Sequence, residues 1–319
     1  MSLRTPICDM FGIDVPIFLA GMGQVAYAEV CAAVSEAGGF GTLGMVGAPP
    51  DRIRDEMREV RKRTNKPFGV DLLAALPEQM MAAIDVIIDE GAAAFIAGLG
   101  VPTPLVDRCH KAGVKVLSMC GKVAHALRAE EAGCDVVVAQ GTEAGGHTGQ
   151  VAGMALIPQT VDAVKIPVLA AGAIVDGRGL AAALAFGAQG VWIGTRFIAS
   201  EEANAARGFK RRIVEADETE TKVTRCYSGK PMRVITNPYV EEWERKTDEI
   251  QKFPMQLVVS YQNGVTDYTG KAEIDPKRTM MPAGQGIGAI HDVLPVREII
   301  RRMMSEAEST IEKLATLTP

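Results

Sequence analysis

Eight short apolar runs, rich in Val, Ile, Ala and Gly, alternate with longer amphipathic stretches up to residue 195. The runs fall at 16–21, 41–46, 67–72, 93–99, 114–119, 134–140, 167–172 and 190–195. Between them, residues 26–37, 51–63, 77–90, 104–112, 123–132, 155–164 and 177–186 carry helix-like patterns. Several runs are apolar at nearly every position, as expected of strands covered by helices on one face and packed side chains on the other. Gly91, Gly113, Gly133 and Gly187 precede strand runs, where helix C-caps are expected. Regular βα alternation predicts a parallel sheet. Eight units in about 200 residues predict a closed (β/α)8 barrel, the TIM-barrel architecture. A doubly wound open sheet is the alternative, but such sheets usually carry fewer units.

Beyond residue 195 the pattern changes. Residues 201–280 are charged and hold Tyr227, Tyr239, Trp243, Tyr261 and Tyr268. They read as an excursion over the barrel mouth, and 295–314 reads as a final helix closing the outer ring. The division that follows is a barrel of residues 1–200 plus 281–319, with 201–280 as an inserted lid or substrate-side segment. A chain of 319 residues with 47% hydrophobic content can bury a core of that size. Aromatic content of only 5% argues against a nucleic-acid stacking surface, and a net charge of −5 calls for no polyanionic partner. The cysteines at 8, 31, 109, 120, 134 and 226 form no CxxC pair and no zinc spacing with histidine, which fits free buried thiols in a reducing compartment. No apolar run reaches the roughly 18 residues of a membrane span, and no signal-peptide pattern opens the chain. A cytoplasmic protein acting on a small molecule is expected, with no nucleic-acid or membrane partner; whether it is a homodimer stays open.

Chemistry in such a barrel gathers at the C-terminal ends of the strands, and the loops after strands seven and eight often bind phosphate. Here those ends read Ala170-Ala171-Gly172-Ala173-Ile174 and Trp192-Ile193-Gly194-Thr195-Arg196. Small residues let backbone N–H groups approach phosphate oxygens, and a following helix N-terminus would add its dipole. After strand six comes Gln140-Gly141-Thr142-Glu143-Ala144-Gly145-Gly146-His147-Thr148-Gly149, a loop able to lie against a flat ligand. Its one imidazole, His147, is a candidate acid or base. His110 and His125 fall in helix patterns and read as surface residues. The first strand ends in Ala20-Gly21-Met22-Gly23-Gln24, the third at Asp71, the fifth at Gly121-Lys122. Lys122 could stabilise a ligand that gains negative charge on reduction, or could be an ordinary first-turn lysine.

At these residues the chain resembles the nitronate monooxygenase family, formerly called 2-nitropropane dioxygenases, whose relatives include flavin-dependent enoyl-ACP reductases and NADH:quinone reductases. The likeness runs from residue 16 through Lys66-Pro67-Phe68-Gly69-Val70, the Glu143-Ala144-Gly145-Gly146-His147 string and both phosphate loops to Ala283-Gly284-Gln285. It implies an FMN-dependent oxidoreductase. FMN ring contacts are implied at Gly21, Met22, Gly23, position 71, Gln140, Gly145 or Gly146, and Gln285; phosphate contacts are implied at Gly172, Ala173, Gly194 and Thr195. His147 would be the base of a monooxygenase oxidising alkyl nitronates with O2, or would orient substrate in an NAD(P)H-dependent reductase of enoyl thioesters or quinones. Position 71 is usually Asn in the family and is Asp71 here; an ionised carboxylate beside a reduced flavin is unfavourable, so Asp71 is expected protonated, paired or turned away. The loop 21–25 also lacks the proline that often precedes Met22 in the monooxygenases. Inosine-phosphate dehydrogenases share similar glycine loops but need a nucleophilic Cys at the barrel mouth. The 141–149 loop has none, although Cys120 ends strand five.

Overall fold

The computed structural model describes residues 3–73, 77–98 and 103–317. In chain order the strands are β1 (Ile17–Leu19), β2 (Gly41–Gly44), β3 (Phe68–Leu73), β4 (Ala94–Gly98), β5 (Lys115–Cys120) and β6 (Val136–Gln140). They continue with a two-residue β7 (Gly146–His147), then β8 (Val168–Ala171), β9 (Gly190–Ile193), β10 (Thr221–Thr224) and β11 (Met232–Ile235). β1–β6, β8 and β9 form one all-parallel sheet in the order β1-β9-β8-β6-β5-β4-β3-β2. A parallel bridge between Phe18 and Phe40 joins its two ends, so the sheet closes as the predicted barrel. Each of the eight sequence runs coincides with one of these strands, β3 and β5 each extending one residue past their runs. The helices between them also lie where the amphipathic pattern puts them, from Ala28–Glu36 to Gly177–Ala185.

Alternation along the strands sorts side chains into two cores. One set, including Phe18, Phe40, Ile96, Leu117, Val136, Val138, Leu169 and Trp192, packs inside the barrel. The other, including Val70, Val116, Val137, Ala170 and Val191, packs outward against the helices. A short helix at Pro6–Phe11, not foreseen from the pattern, sends Ile7, Cys8 and Phe11 into the interior cluster. The Phe11 ring meets Phe18 at 5.3 Å and Phe40 at 4.9 Å, both edge to face. Each such buried ring contributes about 1.5–3 kcal/mol by removal from water.

The segment from 201 onward carries a helix at Arg207–Glu215, the antiparallel β10–β11 hairpin, and helices at Pro238–Glu244 and Met255–Gln262. Its aromatics pack on one another within the outer core shared with the barrel helices: Tyr227 stacks on Tyr239 at 5.3 Å, and Phe209 meets Tyr268 at 5.8 Å. Tyr261 is exposed. β11 pairs with β7, opposing Met232 to His147 and Arg233 to Gly146, so backbone hydrogen bonds tie the excursion to the loop after β6. The last helix, Val296–Ala315, packs on Gly177–Ala185, as expected for the ring's closing element.

Candidate active site

At the C-terminal ends of the strands, the inward positions are Ala20, Gly44, Asp71, Gly98, Met119, Gln140, Ala171 and Gly194, in phase with the interior set on each strand. Five of these eight carry at most a methyl group. The result is a floor poor in side chains, over which the first loop is laid. A Cβ on Gly44 would stand 2.4 Å from the carbonyl carbon and oxygen of Met22, and one on Gly21 would stand 2.2 Å from Cβ of Asp71. The loop Gly21-Met22-Gly23 therefore rests directly on β2 and β3. The excursion holds it from outside: Tyr268 Oη donates to the Gly23 carbonyl at 3.2 Å, and Asn204 Nδ2 donates to the Gln24 carbonyl at 2.7 Å.

Asp71 points into this layer and is only 8% exposed. Among the described residues its carboxyl has no hydrogen-bond or ion-pair partner. Burial alone pushes it well above the ordinary carboxylate range. Of the three sequence expectations for this residue, pairing and turning away are therefore not met.

Across the mouth, Gln140 Nε2 donates to the His147 carbonyl at 2.9 Å and fixes the glycine loop to its own strand. Glu143 accepts from Gly153 N with both oxygens at 3.0 Å, which ties the loop to the next helix. The chain returning at 283–285 packs against it: Gln285 N donates to the Glu143 carbonyl at 2.9 Å, and Gly284 N donates to Thr195 Oγ1 at 2.9 Å. Gln285, Gly145, Gly146 and Thr195, 140 residues apart at the extremes, thus lie in one bonded cluster.

His147 is half-buried. Its Nε2 lies 2.9 Å from Ser228 Oγ, and its ring meets Phe253 edge to face at 6.3 Å. Lys230 stands over the Phe253 ring with Nζ 4.6 Å from the centroid and has no carboxylate partner among the described residues. Burial, and secondarily the Lys230 charge, lower the imidazole's pKa, so His147 is neutral at pH 7. Ser228, Lys230 and Phe253 were not singled out from sequence. The only hint was that the excursion is aromatic and follows the barrel.

At the two phosphate loops, Gly172 and Ala173 take φ of +109° and +55° in succession. For Ala173 that is a sparsely populated conformation. The N–H groups of Gly172, Ala173 and Gly194 have no acceptor among the described residues. One expectation is corrected. The helix after β8 does not offer its N-terminus, because Asp176 accepts from Gly179 N at 3.1 Å and Glu306 from Gly177 N at 2.8 Å. Anion binding there falls to the loop N–H groups themselves. Lys122 is exposed at the N-cap of the helix Val123–Glu131, with no bond to the cluster, the placement expected of the second of its two readings, an ordinary first-turn lysine. Cys120 is buried and its thiol is pushed up to about 11, unlike an activated nucleophile.

The nitronate monooxygenase family profile matches residues 4–83 and 78–306. The chain belongs to the nitronate monooxygenase family. A probable nitronate monooxygenase of Staphylococcus saprophyticus is 33% identical over 302 residues, covering 80% of this chain and 85% of that protein. A Mycobacterium tuberculosis (3aS,4S,5R,7aS)-5-hydroxy-7a-methyl-1-oxo-octahydro-1H-indene-4-carboxyl-CoA dehydrogenase is 38% identical over 247 residues, covering 76% and 69%. Among solved structures, FabK from Thermotoga maritima superposes with a TM-score of 0.90 at 36% identity, covering 98% of this chain and 99% of that one. Nitroalkane oxidase from Streptomyces ansochromogenes gives 0.86 at 27% identity, covering 97% and 99%. The family is one of flavin-dependent oxidoreductases, and this chain is an oxidoreductase of that kind. No helix among the described residues is long and apolar enough to cross a membrane.

A flavin with its phosphate fits what the site offers. The side-chain-poor floor suits a planar ring, the unpaired N–H groups at 172, 173 and 194 suit a phosphate, and the unpartnered buried Asp71 needs a polar group opposite it.

Proposed function

We propose that the protein is an FMN-dependent nitronate monooxygenase that oxidises alkyl nitronates with O2. The observation that supports this most is His147: a neutral imidazole at the mouth of the side-chain-poor floor, held by Ser228 and flanked by the Lys230 ammonium, which has no carboxylate partner among the described residues. Gly21, Met22, Gly23, Asp71, Gln140, Gly145, Gly146 and Gln285 would hold the ring, while Gly172, Ala173, Gly194 and Thr195 would hold the phosphate. The bound flavin supplies the electron acceptor for the nitronate and the means of reducing O2.

With Nε2 engaged by Ser228 Oγ, Nδ1 is the nitrogen of His147 left without a partner among the described residues. A neutral nitroalkane would lose its α-proton to that imidazole, whose lowered pKa keeps it unprotonated at neutral pH. Lys230 would attract the resulting anion and hold it at the mouth. The Phe253 and Tyr268 rings of the excursion would limit water on that side.

The reductase reading is favoured by a separate observation, the 0.90 TM-score to FabK at higher identity than to nitroalkane oxidase. In it NAD(P)H reduces the flavin, and an enoyl thioester or quinone takes the electrons.

Anaerobic stopped-flow absorbance separates the two. The FMN-loaded protein is mixed with NADH, NADPH or propyl-2-nitronate. Fast bleaching by nitronate alone, followed by oxygen-dependent turnover, is expected. Fast bleaching by a nicotinamide, with nitronate inert, would replace the monooxygenase by the reductase. Replacing His147 with Ala or Asn should spare FMN binding and lower turnover of the neutral nitroalkane by about 10²–10⁴-fold.

A further inference from the structure

Asp71 is a buried carboxyl in the floor of the site with no bonding partner among the described residues. Its neighbours across the sheet are Gly44 on β2 and Ile96 on β4, and the loop above it is Gly21. None of these elements turns a titratable or charged group toward it, and burial is the only influence on its proton affinity. An ionised carboxylate in such a place has little access to solvent and no counter-ion among the described residues. Its proton remains, and the group then carries one O–H donor beside one C=O acceptor. That is the hydrogen-bonding pattern of a carboxamide, presented on a strand in the floor of the site.

We propose that Asp71 acts as a neutral carboxylic acid that pairs, through its O–H and its C=O together, with a lactam edge of the ligand, N–H beside C=O, and that losing its proton weakens this hold. The pyrimidine ring of a flavin has such an edge, so the inference rests on the flavin reading. It adds a pH-dependent grip that the backbone contacts of the other loops do not have. Above the pKa of Asp71 the acceptor pair has no donor, and a negative charge stands beside a ring that becomes anionic on reduction. Gly21 is part of the device: its backbone closes the space over the carboxyl, and any side chain there would displace it.

The test is FMN binding by the full-length apoprotein, read as quenching of flavin fluorescence from pH 5.5 to 9.5, for the natural chain, Asp71→Asn and Asp71→Ala. In the natural chain the dissociation constant should rise with pH and approach tenfold per unit above the Asp71 pKa, one proton being coupled to binding. Asp71→Asn keeps the donor and acceptor but cannot titrate, so its affinity should match the low-pH value of the natural chain. Any slope left in it belongs to FMN itself. Asp71→Ala should bind at least tenfold more weakly at every pH. Equal slopes in the natural chain and Asp71→Asn would overturn the inference, as would an alanine variant that binds like the natural chain.

Stability of the apoprotein gives a flavin-free reading. The folded pKa lies above that of an ordinary aspartate in the unfolded chain, so folding takes up a proton and stability falls as pH rises from about 4 toward the folded pKa. Asp71→Asn should remove that slope in urea unfolding, and an unchanged slope would show that Asp71 is not the group. If the slope is removed but no variant, nor the natural chain, binds FMN, the flavin reading fails and the pairing fails with it, while the protonation of Asp71 stands.

Discussion

Replacing Gly44 with Ala tests how the barrel floor and the first loop are joined. The new Cβ would lie 2.4 Å from the carbonyl carbon and oxygen of Met22 and 2.5 Å from its nitrogen. Carbon atoms in contact prefer about 3.5–4.0 Å, so the loop must lift by roughly 1 Å. All three atoms are backbone, and no side-chain rotation relieves the clash. The Met22 carbonyl already accepts from Val25 N at 3.1 Å and Ala26 N at 2.8 Å, so the turn is fixed from its other side. Overpacking of this kind costs about 1–3 kcal/mol. If that energy appears in ligand binding, the FMN dissociation constant should rise about 5- to 150-fold. Gly47→Ala is the matched control three residues on. It has φ of +72° and nothing within 4 Å of its Cβ, so it should cost about 1–2 kcal/mol of stability through backbone strain while leaving FMN affinity within about threefold. Fluorescence titration with FMN and urea unfolding of both variants decide the matter. A Gly44→Ala protein that binds FMN as the natural chain does, or a Gly47→Ala protein that loses as much affinity, would refute the close approach as the feature that holds the loop.

Two further outcomes follow from groups outside that loop. Lys230→Met removes one of the two influences that lower the His147 pKa, so the imidazole should titrate at higher pH. The acid limb of neutral-nitroalkane turnover should move upward in pH, and the KM for pre-formed nitronate should rise; an unmoved acid limb would show that Lys230 does not sense His147. All six cysteines are buried and unpaired, with burial raising Cys109 and Cys120 to about 11 and Cys134 and Cys226 to about 12. Native protein at pH 8 should therefore react with a disulfide reagent only at its unfolding rate, whereas denatured protein should show all six thiols at once; a rapid native burst would place a thiol at the surface.

The barrel was legible because its determinants are local and repeated. Each strand run is apolar on both faces, each helix is amphipathic, and eight repeats leave little choice of closure. The helix Pro6–Phe11 escaped because six residues hold less than two turns of pattern. Its signals were nonetheless present in Pro6 at the start and in Gly12, which takes φ of +65° at the end. The glycine loops were legible for a similar reason: backbone approach to a ligand requires small residues, and small residues can be read in sequence.

The electrostatics of the site were not legible, because charge acts through space and depends on burial. Lys122 and Lys230 are both single lysines in loops. The first sits at a strand end, where a site cation is expected, yet it faces solvent. The second lies 83 residues beyond His147 and reaches it only because β11 pairs with β7 and carries the turn at Ser228 and Lys230 to the imidazole. Nothing in the composition of 201–280 fixes that register. Asp71 shows the same principle in reverse. Its chemical type suggests an anion, and the sequence flagged the conflict with a reducible ring. The absence of any donor or cation around it among the described residues is what resolves the conflict toward the protonated acid. In this chain the sequence pattern accounts for where a flat, phosphate-bearing ligand would lie, whereas the protonation states that would act on it are set by contacts made only when segments far apart in sequence close over the mouth.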